Sequence, residues 1–257
     1  MEEAKFQRQM EKLRKPTGPR GTWVSPVFAL EEYKLMTPNQ LGEVIVEMMK
    51  FSSLGSYWLR GDLFDLIDCL DTKVSIPEDP QLEKYLHMTA SLVCLTQFQG
   101  FPINEILPGQ PKRLGKHLER IIGPEPLNVP SMETEPSLQI ATFLAYPLLE
   151  GVVRRKLGQF ISAGGTVQKE FHVLKDDGEP KKYKPKDRIN NLNHELQLLQ
   201  NETSSASLRT RLSRLNEAQP LFEDIYKWRW QLLHGALTAS WHSLTLLLLT
   251  YLVLLET

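Results

Sequence analysis

The 257-residue sequence is poor in several things that would narrow its function. It has only two cysteines, Cys69 and Cys94, both in apolar helical patterns and not at a metal-ligand spacing. That excludes a disulfide framework, points to buried thiols, and fits a reducing compartment. Net charge is close to zero, with 30 basic against 31 acidic residues, so attraction to nucleic acid or membrane must come from local patches. The charged opening MEEAKFQRQMEKLRK has no apolar stretch suited to a signal peptide, so the expectation is a cytoplasmic protein. No internal repeat, phosphate-cradling glycine loop, nucleophile elbow or zinc-ligand spacing is found. No metal or cofactor is therefore expected.

What is present is helical periodicity along almost the whole chain, which predicts an all-α fold. Residues 1–15 read as a charged helix broken by KPTGPRGTW. Thr37-Pro38-Asn39-Gln40 has the chemistry of a helix start, with Thr as cap, Pro at the first helical position and Gln three residues after the cap. Leu41, Val44, Ile45, Met48 and Met49 follow at helical spacing. Further helices are expected over 55–71, 80–97, about 113–122, 137–162, 189–202, 205–215 and 217–234, with a last one ending at 256. Pro147 should kink the long helix that contains it. Asp176-Asp177-Gly178 lies between two β-capable runs, which predicts a small hairpin within 167–184. The Pro- and Gly-rich stretch before residue 137 reads as a linker over 126–136, separating an N-terminal helical region (1–125) from a second one (137–257).

Gly235 to Leu255 carries no formal charge over 21 residues. Two readings fit: a tail anchor, or a final helix buried on all sides. Its opening Thr238, Ser240, His242 and Ser243, and the shortness of the run Leu246 to Leu255, favour the buried helix. No stable membrane association is then expected.

The motif that carries chemistry is Arg229-Trp-Gln-Leu-Leu-His234, followed by Gly235. Metal-free RNA cleavage needs a proton acceptor for the 2′-hydroxyl, a proton donor for the leaving oxygen, and a cation for phosphate. Histidine titrates near neutrality and serves either proton role. Arginine stays charged and its fork fits phosphate oxygens. Five residues at about 100° each set the two side chains roughly 140° apart on a regular helix. Either the helix ends here and His234 swings round, or a second subunit completes the site. A plain structural reading also exists: Arg229 pairing with Glu223, Asp224 or Glu150, and His234 capping a helix.

A four-helix arrangement with Arg-x4-His near the end of the third helix and an apolar fourth resembles the HEPN superfamily. These are small all-α domains, many of them metal-independent endoribonucleases of defence, toxin and stress systems. The resemblance covers about residues 137–257 and implies a HEPN-like four-helix bundle, RNA as partner, and a homodimer with both motifs at a common cleft. It implies catalytic roles for Arg229 and His234, and for Glu150 as the acidic residue that orients the pair. This sequence departs from the family at Trp230, where Asn, Asp or His usually follows the arginine; an inactive RNA-binding or protein-interaction module is the alternative.

Two basic stretches are candidate RNA contacts: Arg154, Arg155 and Lys156 on the helix of Glu150, and Lys181, Lys182, Tyr183 and Lys184 in KKYKPKDR, with Tyr183 stacking on a base. A solvated charge run is the competing reading for the loop. Asp62, Asp65, Asp68 and Asp71 recur every third residue and are expected to form a polar helix face. Trp58, Trp228, Trp230 and Trp241 are expected in a core or interface.

Overall fold

The computed structural model describes residues 1–14, 27–52, 60–76, 78–97, 134–175, 178–234 and 240–256. The expected helix near 113–122, all but the end of the expected linker, and Gly235 itself lie outside the described residues. The protein is mostly helical, as expected. In chain order come α1 (Glu3–Arg14), α2 (Leu30–Lys34), α3 (Pro38–Ser52), α4 (Arg60–Lys73), α5 (Pro80–Gln97) and α6 (Thr134–Lys156). A hairpin follows, β1 (Phe171–Leu174) with β2 (Pro180–Tyr183), and then α7 (Leu192–Glu202), α8 (Ala206–Ala218), α9 (Leu221–Leu233) and α10 (Ser240–Leu255). The short α2 has no counterpart in the sequence reading.

Local chemistry explains most of these boundaries. At α3 the capping box forms as expected: Gln40 N–H donates to Thr37 Oγ1 at 3.2 Å, and Thr37 N–H donates to Gln40 Oε1 at 3.1 Å. Pro147 sits inside α6, which continues through it; the carbonyl left without a donor belongs to exposed Phe143, where water can satisfy it. The helix stops at Lys156 rather than near residue 162, because Ile161 pairs with Val167 in an antiparallel bridge. The hairpin pairs Phe171 with Tyr183 and Leu174 with Pro180, and Gly178 takes the left-handed conformation (φ 81°) that the turn demands.

The last helix is the centre of the molecule. From His242 to Leu254 every residue of α10 is buried, and the helix packs against α6, α3 and α5. Each fully buried leucine contributes about 2 kcal/mol of transfer free energy, which explains a helix apolar all round. Among the described residues, no helix is long and apolar enough to cross a membrane. Helices from both sides of the expected linker share one core, since α10 lies on α3 and α8 also packs on α3.

That second contact is ionic as well as apolar. Arg211 of α8 is almost wholly buried. Its Nε donates to Glu43 Oε1 at 3.1 Å, Nη1 to Glu256, and Nη2 to Asn39 O at 2.8 Å. Arg214 holds the other oxygen of Glu43 at 2.7 Å and Glu47 at 2.8 Å. Gly42 makes room for this: a Cβ there would lie 2.7 Å from Arg211 Cζ.

Both cysteines are buried, and burial pushes the Cys69 thiol up to about 11 and Cys94 higher still. Of the aspartate series, Asp65 is buried, and Asp71 accepts from Tyr251 Oη (2.9 Å) and lies 2.6 Å from His87 Nδ1. The side chain of Asp62 lies outside the described residues.

Candidate functional site

Helix α9 buries Leu221, Phe222, Ile225, Trp228 and Leu232 and turns the intervening residues outward. Its docking on α6 is set by Tyr146, whose buried hydroxyl donates to Ile225 O at 2.8 Å. One turn further along each helix stand Glu150 and Arg229, and Arg229 Nη1 lies 3.9 Å from Glu150 Oε1. The Arg229 side chain is one-third exposed (33%), so it meets solvent as well as Glu150.

His234 does not complete another helical turn. It is the C-cap of α9, at φ −97° and ψ 13°, with its N–H donating to Trp230 O and Gln231 O at 3.2 Å. Those dihedrals fall in the bridge region, where chains leave helices and where active-site residues are often found. The side chain is exposed, and its ring lies 4.4 Å from that of Trp230. The helix therefore ends at the motif, and His234 leaves it as the cap.

Trp230 is 60% exposed and Leu233 62%, which forms an apolar patch beside the histidine. Trp228 is instead buried and stacks on His242 with ring centres 4.2 Å apart. Burial holds His242 down at about 4, so it is neutral at physiological pH. The side chains of Trp58 and Trp241 lie outside the described residues.

Glu150 is held from behind. Arg154, one turn along α6, donates through Nη2 to Glu150 and to Glu195 Oε1 (2.8 Å), and through Nε to Glu195 Oε1 (3.0 Å). The same guanidinium reaches Ile189 O and Ala163 O at the root of the hairpin, both at 3.3 Å. Glu195 is fully buried in the first turn of α7, whose start is set by Asn191 accepting from His194 N–H. Burial raises its carboxyl to about 7, against the opposing pull of Arg154. Glu150, Arg154, Glu195 and Arg229 thus form one charged cluster joining α6, α7 and α9. Glu195 is the member the sequence reading missed. It meets Arg154 across 41 positions, and nothing local in the sequence connects the two.

The expected RNA contacts fare differently. Arg154 is committed to this cluster and little exposed. Arg155 pairs with Glu78 (2.6 Å) and Asp79 (3.4 Å) in the turn before α5. Half-buried Lys156 donates to Glu256 O at 3.3 Å, and desolvation lowers its ammonium pKa. Tyr183 is buried, its ring stacked on Phe171 at 5.1 Å and its hydroxyl 2.8 Å from His194 Nδ1, so it has no face to offer a base. Alternation along β2 places it on the core side, and Phe171 opposite it closes that side. Lys181 lies over the Tyr183 ring at 4.6 Å and Lys182 pairs with Glu170 at 2.6 Å. Lys184 is exposed, with its backbone N–H donating to Asp187 Oδ2. The structure therefore brings Arg229, Glu150 and Arg154 together, with His234 at the end of the same helix. It leaves Arg155, Lys156 and the hairpin lysines outside that cluster.

Among the described residues, no group of three His, Cys, Asp or Glu side chains is arranged to hold a metal ion. Chemically, the site offers an arginine beside a carboxylate and, five positions on at the helix end, an exposed imidazole. Searches of protein-family models, curated proteins and solved structures returned no match to this chain.

Proposed function

We propose that this chain is a HEPN-like endoribonuclease that cleaves RNA without a metal, acting as a homodimer in a defence, toxin or stress setting. The observation that carries the reading is the meeting of Arg229 with Glu150, separated by 79 positions in sequence, at the helix end where His234 turns outward. Arg229 binds the scissile phosphate and keeps its charge as negative charge builds on the phosphate oxygens. An imidazole takes the 2′-hydroxyl proton, the 2′-oxygen attacks phosphorus, and the 5′-oxygen leaves with a proton from a second imidazole. The products are a 2′,3′-cyclic phosphate and a 5′-hydroxyl. One His234 from each of two subunits supplies both proton roles.

A second reading has its own observation. Exposed Trp230 lies against the His234 ring and stands where the family usually has a polar residue. An aromatic there suits an RNA-binding or protein-interaction module without cleavage. Incubating a mixed RNA pool in chelator with wild type, Arg229→Ala and His234→Ala separates the two. Cleavage leaving cyclic phosphate ends, lost in both variants, supports the nuclease. An inactive wild type, or variants that cut equally well, removes it.

A further inference from the structure

The four members of the charged cluster are not equivalent. Arg229 is the most exposed, Glu150 and Arg154 are largely covered, and Glu195 is fully buried. Glu195 Oε1 takes both of its hydrogen bonds, from Arg154 Nε and Nη2, while Oε2 is buried with no hydrogen-bond partner among the described residues. A buried oxygen without a donor is costly when it shares a full negative charge and much cheaper when it belongs to a neutral carboxyl. The ionic groups facing Glu195 are Arg154 and Glu150 from α6 and Arg229 from α9. Its neighbour His194 is engaged with Tyr183 of β2. β1 and α8 meet α7 through the uncharged contacts Leu174–Gln197 and Ser213–Gln200.

Charge counting gives this arrangement a consequence. With Glu195 ionised, two guanidinium groups face two carboxylates and the cluster is neutral. With Glu195 protonated, one positive charge is left over, and its outlet to solvent is Arg229. We propose that Glu195 is a positioning residue that sets the charge of the phosphate site: binding of an RNA phosphate at Arg229 is coupled to proton uptake at Glu195 Oε2. This rests on the RNA reading of the same site. The proton comes from solvent, and the O–H bond it makes at Oε2 is the only bond formed. A bound phosphate disfavours a second anion behind Arg229, and by reciprocity a neutral Glu195 strengthens phosphate binding. The carboxyl titrates at about 7, which places the switch within the physiological range.

The test uses a labelled, non-cleavable 2′-O-methyl oligonucleotide in chelator, with affinity measured by fluorescence anisotropy from pH 6 to 8. Wild type should weaken roughly fivefold over that range if binding raises the Glu195 carboxyl by about one pH unit, and by about tenfold at most for a single coupled proton. Glu195→Gln, neutral at every pH, should lose most of that dependence, whereas His234→Ala should keep it and Arg229→Ala should bind weakly throughout. A Glu195→Gln protein with the wild-type profile, or loss of the profile in His234→Ala, overturns the proposal and leaves the RNA reading intact. Wild type that binds no oligonucleotide at any pH overturns both. Should Glu195→Gln not fold, calorimetry of wild type at pH 7 in two buffers of different ionisation enthalpy decides the matter. Uptake of a fraction of a proton per bound strand supports the coupling, and zero uptake refutes it.

Discussion

Replacing Arg211 by methionine keeps most of the side chain's reach and removes its charge. In the wild type this buried guanidinium donates to Glu43, Glu256 and both the carbonyl and side-chain oxygens of Asn39, and so ties α8 to α3 and to the end of α10. Removing one partner from a buried ion pair costs about 3–5 kcal/mol, because the remaining charge is left desolvated. Here the lower end applies. Glu43 still has Arg214, and Glu256 still accepts from Ser205 and Ser207. The expected loss is therefore about 3 kcal/mol in urea unfolding at pH 7, spread over the whole cooperative transition because three helices meet at this point. A double-mutant cycle with Glu256→Gln should return a coupling of about 1–2 kcal/mol. An Arg211→Met protein within about 0.5 kcal/mol of wild type would show that the network is neutral to stability. The reasoning would then fail.

Two other outcomes are expected. The Glu195 carboxyl is raised from 4.5 to about 7, so as pH climbs the unfolded chain ionises first and stability is lost. The loss runs between those two values and reaches about 3 kcal/mol, at about 1.4 kcal/mol per pH unit. The wild-type minus Glu195→Gln difference in unfolding free energy should therefore fall by that amount between pH 4.5 and 8; a flat difference would exclude a buried titrating carboxyl. Lys186 occupies the left-handed region (φ 79°) in the turn after β2, where glycine is unstrained. Lys186→Gly should raise stability by about 0.5–1 kcal/mol, and a lowered melting temperature would count against strain at this position.

The local features of this protein were legible from its residues. The periodic apolar spacing of α3, the Thr37 capping box and the turn chemistry around Gly178 depend on neighbours within four positions, which the sequence displays directly. The uncharged run near the C-terminus fitted either a tail anchor or a helix buried on all sides; its polar opening favoured the second, and packing against α6, α3 and α5 buries it from His242 to Leu254. Arg229 and His234 were visible as a motif, and Glu150 through the resemblance that accompanied it. The partners of the charges were not legible. Glu195 meets Arg154 across 41 positions, Arg155 meets Glu78 across 77, and Tyr183 turns into the core because Phe171 waits there. A basic run reads the same whether it faces solvent or a carboxylate from another helix. Tertiary packing decided which of these cations were neutralised and left Arg229 partly open to solvent, because desolvation obliges every charge that is buried to find an opposite one.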